Sequence, residues 1–120
     1  MKKNYQQLSD LCLSYISRFA NEIRSGWSIT GNNPNNITYR LWKFFTILHV
    51  SFDEAAIHGH FKDKIALIIL LNELQEFRES EEYVIALELN KVGAGGSDLT
   101  SGVDKKLAEL IEVLESVTKN

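Results

Sequence analysis

The sequence contains few of the features that cross-link a chain or hold it in a membrane. Its 120 residues include one cysteine, Cys12, which excludes an intramolecular disulfide and a cysteine-rich zinc site. The longest uninterrupted apolar run, Ile65 to Leu71, has seven residues, whereas a membrane-spanning helix needs about 20. The residues that follow Met1 are polar and do not form an apolar signal core. We therefore expect a cytoplasmic protein with no membrane partner.

Recognisable catalytic motifs are also missing. There is no Gly-x-Ser-x-Gly elbow, and no carboxylate pair stands in an apolar setting suited to acid catalysis. Cys12 stands among apolar residues, which indicates a buried and inert thiol. The glycine-rich residues 93–96 are not followed by the Lys-Ser/Thr pair of a phosphate-binding loop. We expect no enzyme activity, no catalytic residue and no cofactor.

Helical periodicity dominates what the sequence does contain. With 44% apolar and 24% charged residues, the chain is long enough for one core, so we expect a single domain over 1–120. Apolar side chains recur at three- and four-residue steps from about residue 4 to residue 25, which predicts an amphipathic helix that Gly26 ends. Asparagines, glycine and proline predict an irregular segment over 27–36, with Asn36 capping the next helix.

The middle of the chain is its most apolar part. Residues 37–50 are apolar on more than one face, and their length favours a mostly buried helix over a strand. Ser51 and Glu54 match a capping box, which predicts a separate short helix that ends near Gly59. Residues 61–78 contain the longest apolar run, so we expect this helix to lie at the centre of the bundle.

Two further helices are predicted towards the C terminus. Ser80 resembles an N-cap, and the helix after it buries a stripe of Tyr83, Val84, Leu87 and Val92. A glycine-rich connector over 93–97 leads to the last helix. In that helix the predicted inner residues are Val103, Leu107, Leu110, Ile111, Leu114 and Val117, and the predicted outer residues are Asp104, Lys105, Glu109, Glu112 and Glu115. Together the patterns predict an all-α, single-domain bundle of five to six helices.

Charge is distributed unevenly along the chain. Residues 1–50 hold six Lys/Arg against two acids, whereas residues 51–120 hold seven against fourteen. The imbalance is sharpest from Glu73 to Glu88, where Arg78 is the single basic residue. Such an acidic segment repels nucleic acid and is typical either of a solvated helix face or of a surface that docks a basic protein. We expect a protein partner and no direct nucleic-acid binding.

The acidic segment supplies the predicted partner-binding residues. Carboxylates steer a cationic partner towards the surface, and aromatic rings buried in an interface slow its dissociation. The predicted residues are Glu73, Glu76, Phe77, Glu79, Glu81, Glu82 and Tyr83.

Two helical stretches carry a family resemblance. They read YQQLSDLCLSYISRF over residues 5–19 and EYVIALEL over residues 82–89, about a fifth of the chain. Together they resemble the small helical immunity proteins of bacterial polymorphic and contact-dependent toxin systems, including the Maf-type immunity proteins. The resemblance implies a bacterial, non-enzymatic inhibitor or antitoxin that covers the active site, or a nearby surface, of a cognate protein toxin. A basic nuclease is one such toxin.

Self-association and metal binding are the alternatives. The positive first half could meet the negative second half of another copy, which would make the chain a self-associating adaptor or regulator, such as a homodimer. His58 and His60, with Asp53, Glu54 and Asp63 nearby, are the only cluster of potential metal ligands in the sequence. Residues two apart do not share a helix face, so we expect no metal.

A basic and aromatic set in the first half offers one more alternative. Guanidinium, ammonium and indole groups can neutralise phosphates and stack on bases. The set consists of Arg18, Arg24, Trp27, Tyr39, Arg40, Trp42 and Lys43. Tyr39 and Trp42 fit equally well in the core of the second helix, and the isoelectric point near 5.6 opposes binding to a polyanion.

Overall fold

The computed structural model describes residues 4–24, 37–85 and 102–119, with the backbone alone for Glu22. These residues form five helices and no strand, which confirms the predicted all-α class. The helices are α1 (Tyr5–Arg24), α2 (Ile37–His58), α3 (Lys64–Glu79), α4 (81–85) and α5 (Asp104–Thr118).

Contacts along the backbone divide the chain into two compact units. The first unit is Met1–Lys62 and contains α1 and α2, and the second is Asp63–Asn120 and contains α3, α4 and α5. The expectation of one domain over 1–120 stays a prediction.

Helices α1 and α2 pack antiparallel in the first unit. Tyr5, at the start of α1, stacks on Phe52 near the end of α2, with 6.4 Å between ring centroids. Further along α1, the rings of Tyr15 and Phe19 lie 5.1 and 5.9 Å from the ring of Phe45. The predicted stripe of α1 therefore packs on aromatic side chains of α2, and its predicted bounds of about 4 to 25 are confirmed to within one residue.

Helix α2 corrects the prediction of a separate helix beginning at Ser51. The helix runs without a break from Ile37 to His58. Phe52 and Ala55 are fully buried. They follow the buried Leu48 at steps of four and three residues, so they continue the buried face of α2 past Ser51. Because continuing the helix buries these side chains, tertiary packing outweighs the local capping signal of Ser51 and Glu54.

The connection between α2 and α3 follows local chemistry. Gly59 adopts a positive φ of 83°, and its N–H donates to the carbonyl of Ala55 at 2.7 Å. Glycine accepts this conformation without a steric cost, so the predicted end of the helix near Gly59 is confirmed. Asp63 then caps α3, since its Oδ1 accepts from the N–H of Ala66 at 3.0 Å. That cap moves the start of α3 from the predicted residue 61 to Lys64.

Helix α3 is less buried than its apolar run predicts. One face contacts the core of the second unit through Leu67, Leu70, Leu71, Leu74 and Phe77. The opposite face exposes three isoleucines, Ile65, Ile68 and Ile69. The expectation of a helix at the centre of the bundle is therefore wrong for this exposed face of α3.

Helices α4 and α5 complete the second unit. Tyr83 is fully buried as predicted, whereas Val84, which the sequence places in the same buried stripe, is exposed. Helix α5 buries Leu107, Leu110, Ile111 and Leu114, and Val103 directly before it is buried too, as the periodicity predicts, whereas Val117 is only half-buried. The predicted features at Gly26, Trp27, 27–36, Asn36, Leu87, Val92 and 93–97 lie outside the described residues.

Candidate functional site: an acidic groove of the second unit

Ser80 positions α4 against α3. Its backbone N–H and its Oγ both donate to the carbonyl of Phe77, at 3.1 and 2.7 Å. Its Oγ also accepts from the N–H of Tyr83 at 3.3 Å. One serine therefore ends α3 and begins α4, which confirms the predicted cap and fixes the direction of the Tyr83 side chain.

Phe77 and Tyr83, which the sequence predicts as partner contacts, are core residues in the structure. Their rings lie 4.7 Å apart between centroids, and their exposed fractions are 1% and 0%. Helical spacing puts both residues on the inner face of their helices, together with Leu74. The two rings hold α3 and α4 together and are not available to a partner in this conformation.

A polar network joins α4 to α3 and α5. The hydroxyl of Tyr83 donates to Oδ1 of Asp104 at 2.8 Å. Arg78 donates to the same carboxylate through Nε, at 3.0 Å to Oδ1, and through Nη2, at 3.2 Å to Oδ2. The sequence places Asp104 on the outer face of the last helix, and that prediction is wrong. A half-buried guanidinium and a buried hydroxyl both need an acceptor, and Asp104 supplies it.

This network shifts the pKa values of its members. Burial by itself would raise the pKa of Asp104, but the hydrogen bonds from Arg78 and Tyr83 outweigh it and lower that pKa. The hydrogen bond to Asp104 raises the pKa of Arg78. Burial and the same carboxylate raise the pKa of Tyr83. At neutral pH the network therefore holds one cation, one anion and one neutral phenol.

The Asp104→Asn variant is expected to lose about 1 kcal/mol of unfolding free energy at neutral pH, since the side chains remain partly exposed. The folded-state pKa of Asp104 lies below its ordinary value of 3.8. Its contribution is therefore complete above that value and is lost as the pH falls through the folded-state pKa. Urea unfolding of both proteins from neutral pH downwards should show the difference shrinking below pH 3.8.

Glu109→Gln is the matched control for this prediction. Glu109 lies on the same helix and forms an exposed pair with Lys106, with 3.2 Å between Nζ and Oε2. Exposed pairs contribute little, so this variant should follow the wild type at every pH. A constant difference between wild type and Asp104→Asn down to the lowest pH would contradict the assigned role of Asp104.

A groove lies between α3 and α5 in the second unit. Its volume is about 700 Å³. Its residues come from one stripe on each helix, since α-helical neighbours recur every three or four residues. The lining residues are Asn72, Gln75, Glu76, Arg78 and Glu79 of α3 and Ala108, Ile111, Glu112 and Glu115 of α5.

The groove carries an excess of negative charge. Four of its lining residues are glutamates, and Arg78 is its single basic residue. Because Arg78 pairs with Asp104, its charge is already compensated. Gln75 donates to Oε2 of Glu115 at 3.2 Å, which holds one carboxylate against the wall. The groove can therefore attract ammonium or guanidinium groups, and its amides can donate further hydrogen bonds.

The groove includes only part of the predicted acidic set. Glu76 and Glu79 line it, whereas Glu73, Glu81 and Glu82 are exposed elsewhere on α3 and α4. The sequence reasoning missed the contribution of α5, where Glu112 and Glu115 were assigned to a solvent face. Their three-residue spacing shows that they share a face, but only the fold places that face opposite α3.

The histidine cluster and the cysteine are the next candidates for a chemical site. His58 and His60 are both exposed, and Nδ1 of His60 lies 3.2 Å from the carbonyl of Phe61. Within the described ranges, no group of three His, Cys, Asp or Glu residues is placed to hold a metal ion. Cys12 is fully buried, and burial raises its pKa to about 12. Burial and the raised pKa both disfavour the reactive thiolate, which agrees with the apolar surroundings in the sequence.

A serine and a histidine do meet between α1 and α2. Nδ1 of His49 lies 2.9 Å from Oγ of Ser9 and 3.0 Å from the Ser9 carbonyl. A carbonyl can only accept, so this geometry places the ring proton on Nδ1, where it cannot take a proton from the hydroxyl. Ser9 is also fully buried, so no substrate reaches it. The pair is a packed polar contact of the first unit.

The basic and aromatic set is only partly exposed where the structure describes it. Arg24 and Lys43 are exposed, whereas the other described members, Arg18, Tyr39, Arg40 and Trp42, are half-buried. The rings of Tyr39 and Trp42 meet edge to face at 5.7 Å, and Nζ of Lys43 lies 6.0 Å above the Tyr39 ring. Both rings are used in contacts along α2, which leaves less of their faces for stacking on bases.

Comparisons with known proteins add no relative. Neither the protein-family models, nor the curated proteins, nor the solved structures contain a match to this chain. Within the described helices, none has the length and apolar content needed to cross a bilayer. The resemblance to immunity proteins stays a prediction.

Proposed function

We propose that this chain is a non-enzymatic, protein-binding inhibitor of the immunity or antitoxin type. In this proposal, the groove between α3 and α5 binds a basic surface of a cognate bacterial toxin, such as a nuclease domain. The observation that supports it best is the concentration of four glutamates around one concave surface whose single arginine is already paired. The resemblance of residues 5–19 and 82–89 to immunity proteins supports the toxin as the class of partner.

The charge arrangement suits rapid capture of a cationic protein. Carboxylates grouped on a concave surface strengthen the local field and raise the association rate of an oppositely charged partner. The paired Arg78 and Asp104 contribute no net charge, so they weaken that field little. The hydrogen bonds of Ser80 and Tyr83 fix the surrounding backbone, and a preorganised surface loses less entropy on binding.

Self-association is the second candidate, and the charge of the two units favours it. Residues 1–62 hold seven Lys/Arg against four acids, and residues 63–120 hold six against twelve. Opposite charge on two parts of one chain allows one copy to attract another. Sedimentation at low and high salt tests this candidate directly, since a salt-sensitive dimer would support it and a salt-insensitive monomer would contradict it.

The paired substitution Glu76→Lys, Glu112→Lys should slow association with the toxin at least tenfold at low salt, because it reverses two groove charges. The partner is first captured from the native host with tagged protein and identified by mass spectrometry. Its association and dissociation rates are then measured by surface plasmon resonance at low and high salt. We expect a large loss of association rate, a weaker salt dependence and a smaller change in dissociation rate.

Two control variants, the first of them matched in charge, localise the effect. Glu81→Lys, Glu82→Lys makes the same change in net charge on α4, outside the groove, and should have a smaller effect. Glu54→Lys changes an exposed glutamate of the first unit and should have the least. Equal effects for the groove pair and the α4 pair would contradict the groove as the binding surface and would restore the broader acidic segment.

A further inference from the structure

Helix α3 exposes one continuous stripe opposite its buried face. At 100° per residue, the buried side chains of Leu70, Leu74 and Phe77 lie on one side of the helix. The opposite side forms an arc of about 100°. Along that arc lie Ile65, Ile68, Ile69, Asn72, Glu76 and Glu79, all of them exposed.

The stripe is divided into an apolar half and an acidic half. The isoleucines at its N-terminal end have exposed fractions of 73% for Ile65, 43% for Ile68 and 54% for Ile69. Its C-terminal end contains Glu76 and Glu79, which line the groove. Glu79 lies eleven positions after Ile68, a distance of about 16 Å along a helix. The apolar surface is therefore continuous with the proposed binding groove.

A second copy of the chain fits this stripe poorly. In a parallel pair of α3 helices, the carboxylates of one copy would face those of the other and repel them. In an antiparallel pair, isoleucines would cover carboxylates and remove them from water without a partner, which is costly. A surface complementary to the stripe therefore needs aliphatic groups at one end and cationic groups at the other.

We propose that the stripe binds a partner segment of matching two-part chemistry, and this inference rests on the proposed function. Aliphatic side chains of the segment cover Ile65, Ile68 and Ile69. Lysine or arginine side chains about 16 Å further along reach Glu76 and Glu79. The acidic half sets the association rate, and the apolar half sets the dissociation rate.

Fluorescence anisotropy with labelled peptides tests this arrangement on the full chain. The two-part peptide is a helix with leucines on one half and lysines on the other half of the same face. The lysine-only peptide replaces its leucines with alanine and keeps the charge. We expect the two-part peptide to bind at least tenfold more tightly, because the three isoleucines have between 43% and 73% of their surface left to bury.

Variants of the protein test which half of the stripe binds the leucines of the peptide and which half binds the lysines. Ile68→Gln, Ile69→Gln should weaken the two-part peptide about tenfold and leave the lysine-only peptide unchanged. Glu76→Gln, Glu79→Gln should weaken both peptides and reduce their salt dependence. Ile47→Gln, Val50→Gln, which changes an exposed apolar pair of α2, should weaken neither. Circular dichroism confirms that each variant is folded.

Three outcomes would overturn the inference. If both peptides bind equally and depend on Glu76 and Glu79, the two-part stripe is wrong while the proposed groove function stands. If neither peptide shows binding that depends on these glutamates, the proposed function fails as well. If the protein alone forms a dimer that Ile68→Gln, Ile69→Gln abolishes, the apolar half belongs to a second copy.

Discussion

The Tyr83→Ala variant is expected to lose about 3–5 kcal/mol of unfolding free energy, the usual cost of removing a fully buried ring. Tyr83 has no exposed surface, and its ring packs on Phe77 with 4.7 Å between centroids. The substitution also removes the hydroxyl that donates to Asp104 at 2.8 Å. It therefore opens a cavity and weakens the junction of α3, α4 and α5 together.

Tyr83→Phe separates these two losses. It keeps the ring and removes only the donor, so about 1 kcal/mol should be lost. Val84→Ala is the matched control, because Val84 is the next residue of α4 and is 46% exposed, and it should change the free energy by less than about 0.5 kcal/mol. Urea unfolding followed by circular dichroism measures all three variants.

The result decides whether Tyr83 is a core residue or a partner contact. A core residue loses stability on truncation whether or not a partner is present. If Tyr83→Ala unfolds like the wild type but releases the partner faster, the ring is an interface anchor and its buried position in α4 is wrong. Phe77→Ala, compared with the wild type for both unfolding free energy and partner dissociation, tests the same question independently, since the Phe77 ring is 1% exposed.

Sequence periodicity predicts the fold well where one apolar stripe faces one neighbour. The stripes of α1 and α5 each alternate with polar residues at every turn, so the helices and their buried faces follow from the spacing alone. The predicted cap at Ser80 and the predicted helix end at Gly59 are also confirmed, because both depend on local backbone chemistry. Such caps and helix ends can be predicted without knowing which other helices pack against them.

The wrong predictions arise where distant residues decide the outcome. Ser51 has the sequence of a cap, but burial of Phe52 and Ala55 carries α2 through it. The apolar run of α3 gives no indication that Ile65 and Ile69 remain exposed, because periodicity measures apolarity and not contact. Both cases show tertiary packing overriding a correct reading of the local pattern.

The candidate site is predicted only in part for the same reason. The excess of glutamate in residues 73–88 is visible in the sequence, and Glu76 and Glu79 do line the groove. The contributions of Glu112 and Asp104 depend on α5 lying beside α3, more than twenty residues away along the chain. A single sequence contains the charges but not the pairing of helices that brings them to one surface.

The Phe45→Ala variant is expected to lose about 3–5 kcal/mol of unfolding free energy, and it also tests whether the chain is one domain. Phe45 is fully buried, and its ring lies near those of Tyr15 and Phe19 at 5.1 and 5.9 Å. The sequence of the second unit contains no tryptophan, and Trp42 lies in α2, so tryptophan fluorescence follows the first unit. Amide hydrogen exchange of α5 follows the unfolding of the second unit.

In a single cooperative domain, a mutation in one part lowers the stability of the whole. We therefore expect Phe45→Ala to shift the fluorescence transition and the exchange of the α5 amides by the same free energy. Ile47→Ala, at a 47% exposed position of the same helix, should shift neither by more than about 0.5 kcal/mol. If the tryptophan transition moves while the α5 amides keep their protection, the two units are separate domains. The second unit would then be expected to fold and bind the toxin without the first.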